Sequence, residues 1–352
     1  METTFNLLKT FTEAPGPVGR EHTIREIVAE HWTPLVDEIH TDALGSLIAL
    51  RHGSGPPPRP SLMAAAHIDE IGLIVTGIEN NFLRVQPLGG MDRRILLGLE
   101  VTVHGQRPLP GIIGSRPPHV LSAAERRKVA AWDEVFVDTG LAADELTALV
   151  TVGDSITVDR ELVALKNGLA AGKALDNRAS VLAVTLALDI LRSRNHTWDF
   201  YAVATAQEEV GVKGAITSAY SLAPHIAIAL DVTFGKQHDD DGAGTFDLGQ
   251  GPTIAMGPNF HPQVVERLIA AANAEEIPYQ PEPVAGGSGT DAWGIQVARE
   301  GIPTGLIEIP LRYMHQPVET ASLRDIERAG RLLAGFVTRL EADFRPHWED
   351  EL

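Results

Sequence analysis

Alternation of strand-like and helix-like segments over the second half of the chain is the feature that most restricts its fold. Helices are predicted at 178–193, 211–221, 262–277, 290–300 and 322–342, and strands at 198–206, 225–232, 252–256 and 303–309. This order of segments is typical of a largely parallel sheet that helices cover on both faces. The first 70 residues fit the same pattern, because a helix predicted at 19–35 precedes a buried strand, SLMAAAHID, at 61–69.

Residues 71–160 have a different pattern. Short runs rich in Val, Ile and Thr, such as GLIVTGI, EVTVHG and DSITVD, are separated by Gly, Pro and Asp. Such runs are typical of a small β-barrel or sandwich. We therefore predict an α/β fold with a mixed, largely parallel sheet flanked by helices and an inserted small β-barrel. The discontinuous α/β domain would comprise residues 1–70 and 161–352, and the insert residues 71–160.

Composition and charge exclude several classes of function. The 352 residues include no cysteine, so disulfides, thiolate nucleophiles and sulfur-based zinc sites are excluded. The net charge of −18 argues against nucleic acid or an anionic membrane as a partner. The sequence has no apolar run of about 18 residues, and its N-terminus lacks the features of a signal peptide. We expect a cytoplasmic protein without a membrane partner.

Polar residues at the ends of predicted strands are the candidates for chemistry, because ligand sites in α/β sheets lie beyond the carboxyl ends of the strands. The strand-end candidates are His67, Asp69, Glu208, Glu209 and Asp231, and two loop residues, Asp176 and His315, join them. Imidazoles and carboxylates together are the ligands of a two-metal site, in which one carboxylate bridges ions about 3.5–4 Å apart. Metal ions would also offset the repulsion between the adjacent carboxylates Glu208 and Glu209.

Each candidate taken alone has a simpler explanation. His67 could be a core histidine with a hydrogen-bond partner, and Asp176 could cap the helix that follows it. A pair such as Glu208 and Glu209 is usually solvated, and His315 could be an ordinary loop residue. Their joint occurrence at the strand ends of one predicted sheet favours a metal site.

Several motifs resemble one known family. AAHIDEIG, GKALDNRAS, AQEEVGVKGA, ALDVT, GGSGTDA and RYMHQPVE occur in the order found in the M42 metallo-aminopeptidases. That family includes the tetrahedral (TET) aminopeptidases, glutamyl aminopeptidases and proteins once described as endoglucanase M. The segments RPPHVL and VGDSIT in the insert resemble the family too, so the resemblance covers nearly the whole chain.

The resemblance implies a two-metal exopeptidase fold and a role for each candidate residue. His67 and Asp231 would bind one metal ion, Glu209 and His315 the other, and Asp176 would bridge them, while Asp69 would orient His67 and Glu208 would be the general base. The two divalent ions per subunit would be zinc, with cobalt or manganese as alternatives. Asp291 either lines the region that recognises the substrate amine or complements a helix dipole.

The activity implied is that of an aminopeptidase, which hydrolyses N-terminal residues from short peptides with metal-activated water. The insert would be a dimerisation domain, and the dimers would assemble into a dodecamer. The alternatives are an N-acyl-amino-acid or amide deacylase, a glycosidase and a non-enzymatic binding protein. Glu208 and Glu209 on one strand would point to opposite faces, which is unfavourable for a glycosidase.

The preference for the N-terminal residue stays open among acidic, apolar and basic side chains. The loop KQHDDDGAGTFD at 236–247 concentrates carboxylates, and these would attract basic peptide ends if the loop rims the site. The carboxylates of this hypothesis are Asp239, Asp240, Asp241 and Asp247.

Overall fold

Helices and strands alternate along most of the chain in the computed structural model, which describes residues 2–240 and 242–347. The helices of these residues are α1 (Glu2–Glu13), α2 (His22–Trp32), α3 (Ala143–Leu149), α4 (Leu175–Leu191), α5 (Lys213–Leu222), α6 (Pro262–Ala274), α7 (Asp291–Ile295) and α8 (Leu323–Arg339). The strands are β1 (Glu38–Thr41), β2 (Leu47–Arg51), β3 (Ser61–His67), β4 (Gly72–Glu79), β5 (Phe82–Leu88), β6 (Glu100–His104), β7 (Pro108–Gly114), β8 (Phe136–Asp138), β9 (Ser155–Val158), β10 (Val163–Ala164), β11 (Leu169–Gly172), β12 (Asp199–Thr205), β13 (Ile226–Phe234), β14 (Thr253–Met256), β15 (Gln280–Pro283), β16 (Thr304–Arg312) and β17 (Glu319–Ser322).

The helices and strands predicted after residue 165 are all present, and most boundaries differ by a few residues. The helix predicted at 290–300 is the exception, because α7 ends at Ile295. Arg299 and Gly301 have positive φ angles of 55° and 100°, which are incompatible with a continuing right-handed helix.

The main sheet is mixed, with its parallel strands at the centre. The strand order is β1-β2-β12-β3-β13-β16-β17-β11-β10, and β14 lies beside β16 and β15 beside β14. The four adjacent strands β12, β3, β13 and β16 are parallel, so their carboxyl ends meet at one edge. Antiparallel strands extend the sheet on both sides.

Burial of the central strands explains their nearly continuous apolar sequence. Residues 62–67 of β3 are all buried, as are residues 226–233 of β13. Helix α4 packs on both strands and against α8, while α5 and α7 pack on each other and on the sheet. Strands covered on both faces lose the alternation of apolar and polar residues. The predicted α/β fold class is thus confirmed.

The remaining strands form a closed barrel in the order β4-β5-β8-β7-β6-β9. It has its own buried core, which includes Val75, Val85, Val103, Val137 and Ile156. The barrel strands lie between Gly72 and Val158, so the predicted inserted barrel is present. The domain boundaries and the role of the barrel in dimerisation stay predictions.

Candidate metal centre

Three neighbouring parallel strands deliver most of the candidate residues to one edge of the sheet. His67 is the last residue of β3, and its register partner on β12 is Thr205. Asp231 lies on β13, at the other side of β3. The chain leaves β12 at Thr205 and reaches Glu208 two residues after Ala206. The side chains of His67, Asp231 and Glu208 therefore approach one another, because the strands that carry or precede them are adjacent.

Asp176 lies between the two imidazoles. Its Oδ1 is 3.1 Å from Nε2 of His67, and its Oδ2 is 3.4 Å from Nε2 of His315. Helix α4 begins next to Asp176, and the backbone of Asp176 itself is not helical. One carboxylate thus presents one oxygen to each imidazole, which is the arrangement required of a bridging ligand.

Glu209 and Asp231 complete the group, each beside one of the imidazoles. Oε1 of Glu209 is 3.5 Å from Nε2 of His315, and Oδ1 of Asp231 is 3.9 Å from Nε2 of His67. One donor atom from each of His67, Asp176 and Glu209 lies within 4.8 Å of the other two. The structure therefore brings together all five residues that the sequence predicts as metal ligands.

Glu208 and Glu209 lie in a short 3-10 helix, Glu208–Val210, rather than on a strand. The expectation that the two side chains point to opposite faces of one strand was therefore wrong. Oε2 of Glu208 is 3.9 Å from Nε2 of His67, while Glu209 approaches His315. The turn therefore lets the two adjacent glutamates face the same site, Glu208 beside His67 and Glu209 beside His315.

Asp69 contacts both His67 and the glutamate turn. Nδ1 of His67 is 3.2 Å from the backbone oxygen of Asp69 and 3.6 Å from its carboxylate. The same carboxylate accepts hydrogen bonds from the backbone N–H groups of Glu208, at 3.0 Å, and Glu209, at 3.1 Å. The buried Asp69 therefore links β3 to the turn that carries both glutamates.

Burial and crowding of carboxylates dominate the electrostatics of the site. Burial and the nearby Asp231, Asp291 and Glu209 raise the pKa of Glu208 to about 10, although His67 opposes the shift. Burial and Asp176 raise the pKa of Glu209 to about 7. These carboxyl groups need a source of positive charge to be ionised together near neutral pH.

The pKa values of the two histidines are raised as well, which favours their charged form. The hydrogen bond to Asp176 raises the pKa of His315 to about 9. Burial alone would lower the pKa of His67, but Asp176 and Asp69 outweigh burial and raise it well above its usual value. Protons on the two imidazoles thus supply positive charge that divalent cations would replace.

Glu319 is a buried residue that the sequence prediction missed. Its Oε2 accepts from the backbone N–H of Asp176 at 3.0 Å, and its Oε1 accepts from that of His315 at 2.9 Å. His315 has a left-handed backbone, with φ of 60°, which costs a non-glycine residue about 1–3 kcal/mol. Glu319 therefore holds two ligands in place, and its only local signal is an acid four residues after His315.

Gly90 is a second residue that the prediction missed. A Cβ atom at this position would lie 2.2 Å from Nδ1 of His315. At neighbouring Gly89, a Cβ would lie 3.1 Å from Oε2 of Glu209. The loop that follows β5 of the barrel therefore packs its backbone against the metal centre.

Asp291, whose role the sequence left open, is buried beside the site. Its Oδ2 accepts a hydrogen bond from Oγ1 of Thr205 at 2.5 Å, and its Oδ1 has no hydrogen-bond partner in the described part of the chain. Burial raises the pKa of Asp291 to about 6, against the effect of His67. Asp291 adds to the negative charge around Glu208.

A cavity of about 580 Å³ opens from the candidate ligands. Its wall includes His67, Asp176, Glu208, Glu209, Asp231 and His315, together with Glu282, Glu308, Phe234 and Trp293. Among the described residues that line it, none is lysine or arginine. Asp239, Asp240 and Asp247 of the acidic loop are not part of the wall, and Asp241 lies outside the described residues.

The donor set fits divalent cations. Ligand atoms about 2.0–2.1 Å from a tetrahedral zinc ion lie about 3.3 Å from one another. The separations from Asp176 to His67 and His315, 3.1 and 3.4 Å, match this value. Nitrogen and oxygen donors without sulfur suit a catalytic rather than a structural site.

Comparison with known proteins gives the family. Residues 45–332 match the model of the M42 glutamyl aminopeptidase family. The chain belongs to the M42 family. As a member of this metal-dependent family, it is an aminopeptidase and hence a hydrolase of peptides.

Individual relatives match the M42 chain over nearly its whole length. Lysyl aminopeptidase of Pyrococcus furiosus is 36% identical, over 97% of this chain and 99% of the relative. A TET aminopeptidase from a marine sediment Thaumarchaeota archaeon has a TM-score of 0.90 and 33% identity, over 97% of each chain. The TET1 peptidase of Pyrococcus horikoshii, which can assemble into a tetrahedron or a large octahedral shell, has a TM-score of 0.85 and 30% identity, over 96% of this chain and 100% of that one.

Within the described residues, no helix combines the length and the apolar character needed to cross a membrane.

Proposed function

We propose that the chain is a two-metal aminopeptidase that removes N-terminal residues from short peptides in the cytoplasm. The observation that carries the proposal is the position of Asp176, whose two carboxylate oxygens face His67 and His315 at 3.1 and 3.4 Å. A carboxylate between two imidazoles is suited to bridge two ions.

The contacts support one set of ligands for each ion. His67 and Asp231 would hold the first ion, Glu209 and His315 the second, and Asp176 both. Zinc suits this set of nitrogen and oxygen donors, and cobalt or manganese could replace it. When bound, such ions lower the pKa of water and polarise a carbonyl oxygen as Lewis acids.

Glu208 would be the general base. Its carboxylate lines the cavity beside His67 without lying between the two imidazoles, so it is free to meet the substrate. It would take a proton from the attacking water and later donate that proton to the leaving amine. Burial and the neighbouring carboxylates raise its pKa to about 10, and divalent cations would lower that value, which favours the carboxylate form.

Asp69 would position the base rather than transfer protons. Its carboxylate accepts from the backbone N–H groups of Glu208 and Glu209, and its backbone oxygen faces Nδ1 of His67. These contacts fix the position of the proposed base Glu208 relative to the proposed metal ligands His67 and Glu209. Side chains fixed in this way lose less entropy in the transition state.

Assembly into dodecamers built from dimers is part of the proposal. The TET1 relative forms closed shells, and this chain superposes on it over 96% of its length. The barrel, with its separate core, would provide the dimer contact. A closed shell would admit short peptides and exclude folded proteins.

Removal and return of metal tests the proposal. Exhaustive chelation should abolish hydrolysis of peptides with a free N-terminus, zinc should restore it, and N-acetylated versions of the same peptides should stay intact.

Calorimetry should give two ions per subunit. Because the hydrogen bond to Asp176 raises the pKa of His315 to about 9, binding of metal at pH 7 should release protons, and the affinity for metal should fall as the pH is lowered. Full activity after chelation, or equal hydrolysis of acetylated peptides, would contradict the proposal.

A further inference from the structure

Two carboxylates, Glu282 and Glu308, lie in the cavity wall beyond the metal centre. Glu308 is on β16, and its register partner on β13 is Asp231, a proposed metal ligand. Paired residues on adjacent strands project from the same face of the sheet, with the strands about 4.8 Å apart. Glu308 therefore lies one strand further from the metal centre than Asp231.

Both oxygens of Glu282 accept hydrogen bonds from threonine hydroxyl groups. Its Oε1 accepts from Oγ1 of Thr233 at 2.7 Å, and its Oε2 accepts from Oγ1 of Thr253 at 2.5 Å. Strands β13, β14 and β15 bring these three side chains together. The two threonines hold the carboxylate in place without neutralising its charge.

Glu308 has an oxygen without a partner. The residue is only 4% exposed, and within the described part of the chain its Oε2 makes no hydrogen bond. Buried polar atoms are hydrogen-bonded in the great majority of native structures, so an exception of this kind calls for an explanation. Burial and the neighbouring Glu282 raise the pKa of Glu308 well above its usual value, so the two carboxyl groups compete for a proton or another positive group. A cationic ligand that donates a hydrogen bond would satisfy the free oxygen and offset the repulsion between the pair.

The wall offers these two carboxylates no cation. The described residues that line the cavity include no lysine or arginine, and both histidines belong to the proposed metal centre. Phe234 and Trp293, which are 59% and 48% exposed, form an aromatic rim on the same cavity. The cavity thus combines an aromatic entrance with acidic groups in its interior.

We propose that Glu282 and Glu308 bind the cationic side chain of an N-terminal lysine or arginine of the substrate. The inference rests on the proposed aminopeptidase function. With the scissile carbonyl at the metal centre, the first side chain of the peptide starts close to Asp231, and Glu308 is the next residue across the sheet. The aliphatic stem of that side chain would contact the aromatic rim, and its charged end would donate to Oε2 of Glu308. Acidic N-terminal residues would be repelled.

Comparison of lysyl and norleucyl substrates tests the proposal, because the two side chains have similar stems and differ in the ammonium group. With the metal-loaded enzyme, kcat/KM for lysyl p-nitroanilide should exceed that for norleucyl p-nitroanilide by about 10–100-fold, the range for a hydrogen bond between charged partners. Arginyl substrate should behave like lysyl substrate, and glutamyl substrate should be the poorest.

Substitution of each carboxylate assigns the effect. Glu308→Gln and Glu282→Gln should each lower the ratio of lysyl to norleucyl kcat/KM by about tenfold, mainly through KM. Glu266→Gln removes the same charge from the exposed side of α6 and should leave the ratio unchanged. Circular dichroism and metal content of each variant should match those of the parent.

Three outcomes would overturn the proposal. The first is a parent enzyme that prefers norleucyl or glutamyl substrate. The second is a Glu308→Gln enzyme in which lysyl and norleucyl rates fall equally, which would assign the residue to the α-amine common to both. The third is loss of metal from that variant, which would make Glu308 a ligand.

A failure of the proposed function would give a different result. A metal-loaded enzyme that hydrolyses none of the four anilides contradicts the aminopeptidase function itself. In that case, calorimetry with lysine amide and norleucine amide still tests the carboxylate pair. Tighter binding of lysine amide that depends on Glu308 would support the pair, and equal binding would overturn it.

Discussion

Glu208 and Glu209 are adjacent in sequence, share one 3-10 turn and have their backbone N–H groups bound by the same carboxylate, Asp69. Their side chains nevertheless have different neighbours. Oε1 of Glu209 is 3.5 Å from His315, whereas Oε2 of Glu208 is 3.9 Å from His67. The turn therefore places the proposed ligand Glu209 beside His315 and the proposed base Glu208 beside His67.

Substitution of each glutamate by glutamine should give different defects. Glu208→Gln should retain both metal ions and lower kcat by on the order of 10²–10⁴, the usual contribution of a general base. Glu209→Gln should lose metal, because an amide is a weaker ligand than a carboxylate. Metal analysis together with steady-state kinetics distinguishes the two defects. Loss of metal from Glu208→Gln, with metal retained in Glu209→Gln, would show that the two roles are exchanged.

At the scale of elements, the loop after β5 connects the barrel to the catalytic edge of the sheet. A Cβ at Gly90 would lie 2.2 Å from the ring of His315, and this ring lies beside both Asp176 and Glu209. Glu319, at the start of β17, holds the backbone of His315 from another side. The position of the His315 imidazole thus depends on two elements, the loop after β5 and the start of β17, that are distant from each other in sequence.

Gly90→Ala should displace His315 and weaken metal binding by about 10–100-fold, the range for residues that support metal ligands. Gly114→Ala, at the end of β7, is the matched control, because its Cβ would have no atom within 4 Å. Zinc calorimetry measures the effect, and thermal unfolding with excess chelator checks that both variants fold like the parent. Equal zinc affinity in Gly90→Ala and the parent would show that the His315 contact has no effect on the metal.

At the scale of the whole molecule, the barrel and its long β7–β8 connection expose large apolar side chains. Leu97, Ile112, Val120 and Val129 are among the exposed residues of this region. The barrel is the proposed dimer contact, and an interface would remove such apolar side chains from water. We therefore expect this surface of the barrel to be covered in the assembled protein.

The double variant Ile112→Asp and Val120→Asp should reduce the native mass of the assembly, because a charge buried in an apolar contact is costly. Light scattering after size exclusion measures the mass, and circular dichroism shows that the subunit stays folded. Leu44→Asp, an exposed position outside the barrel, is the control and should keep the parent mass. An unchanged mass in the double variant would exclude this surface as an interface.

Helices and strands could be predicted from the local pattern, because burial of one or both faces of an element determines the spacing of its apolar residues. The apolar run of β3 and the short Val- and Ile-rich runs of the barrel both identified their strands. The predicted helix at 290–300 was too long, because the left-handed backbone at Arg299 excludes a helix to residue 300 and has no clear signal in the sequence. The roles of the candidate ligands came from a resemblance and stay predictions.

The sequence by itself determined the alternation of elements, the inserted barrel and the set of polar residues at strand ends, since these depend on neighbouring residues along the chain. Only the tertiary structure decided which of these side chains meet, as in the contact of His67 with Asp176 across 109 residues. The supporting contacts of Glu319 and Gly90 and the unsatisfied oxygen of Glu308 likewise belong to the packed chain. The physical reason is that local pattern reports whether a residue is buried, whereas packing determines the groups beside which it is buried.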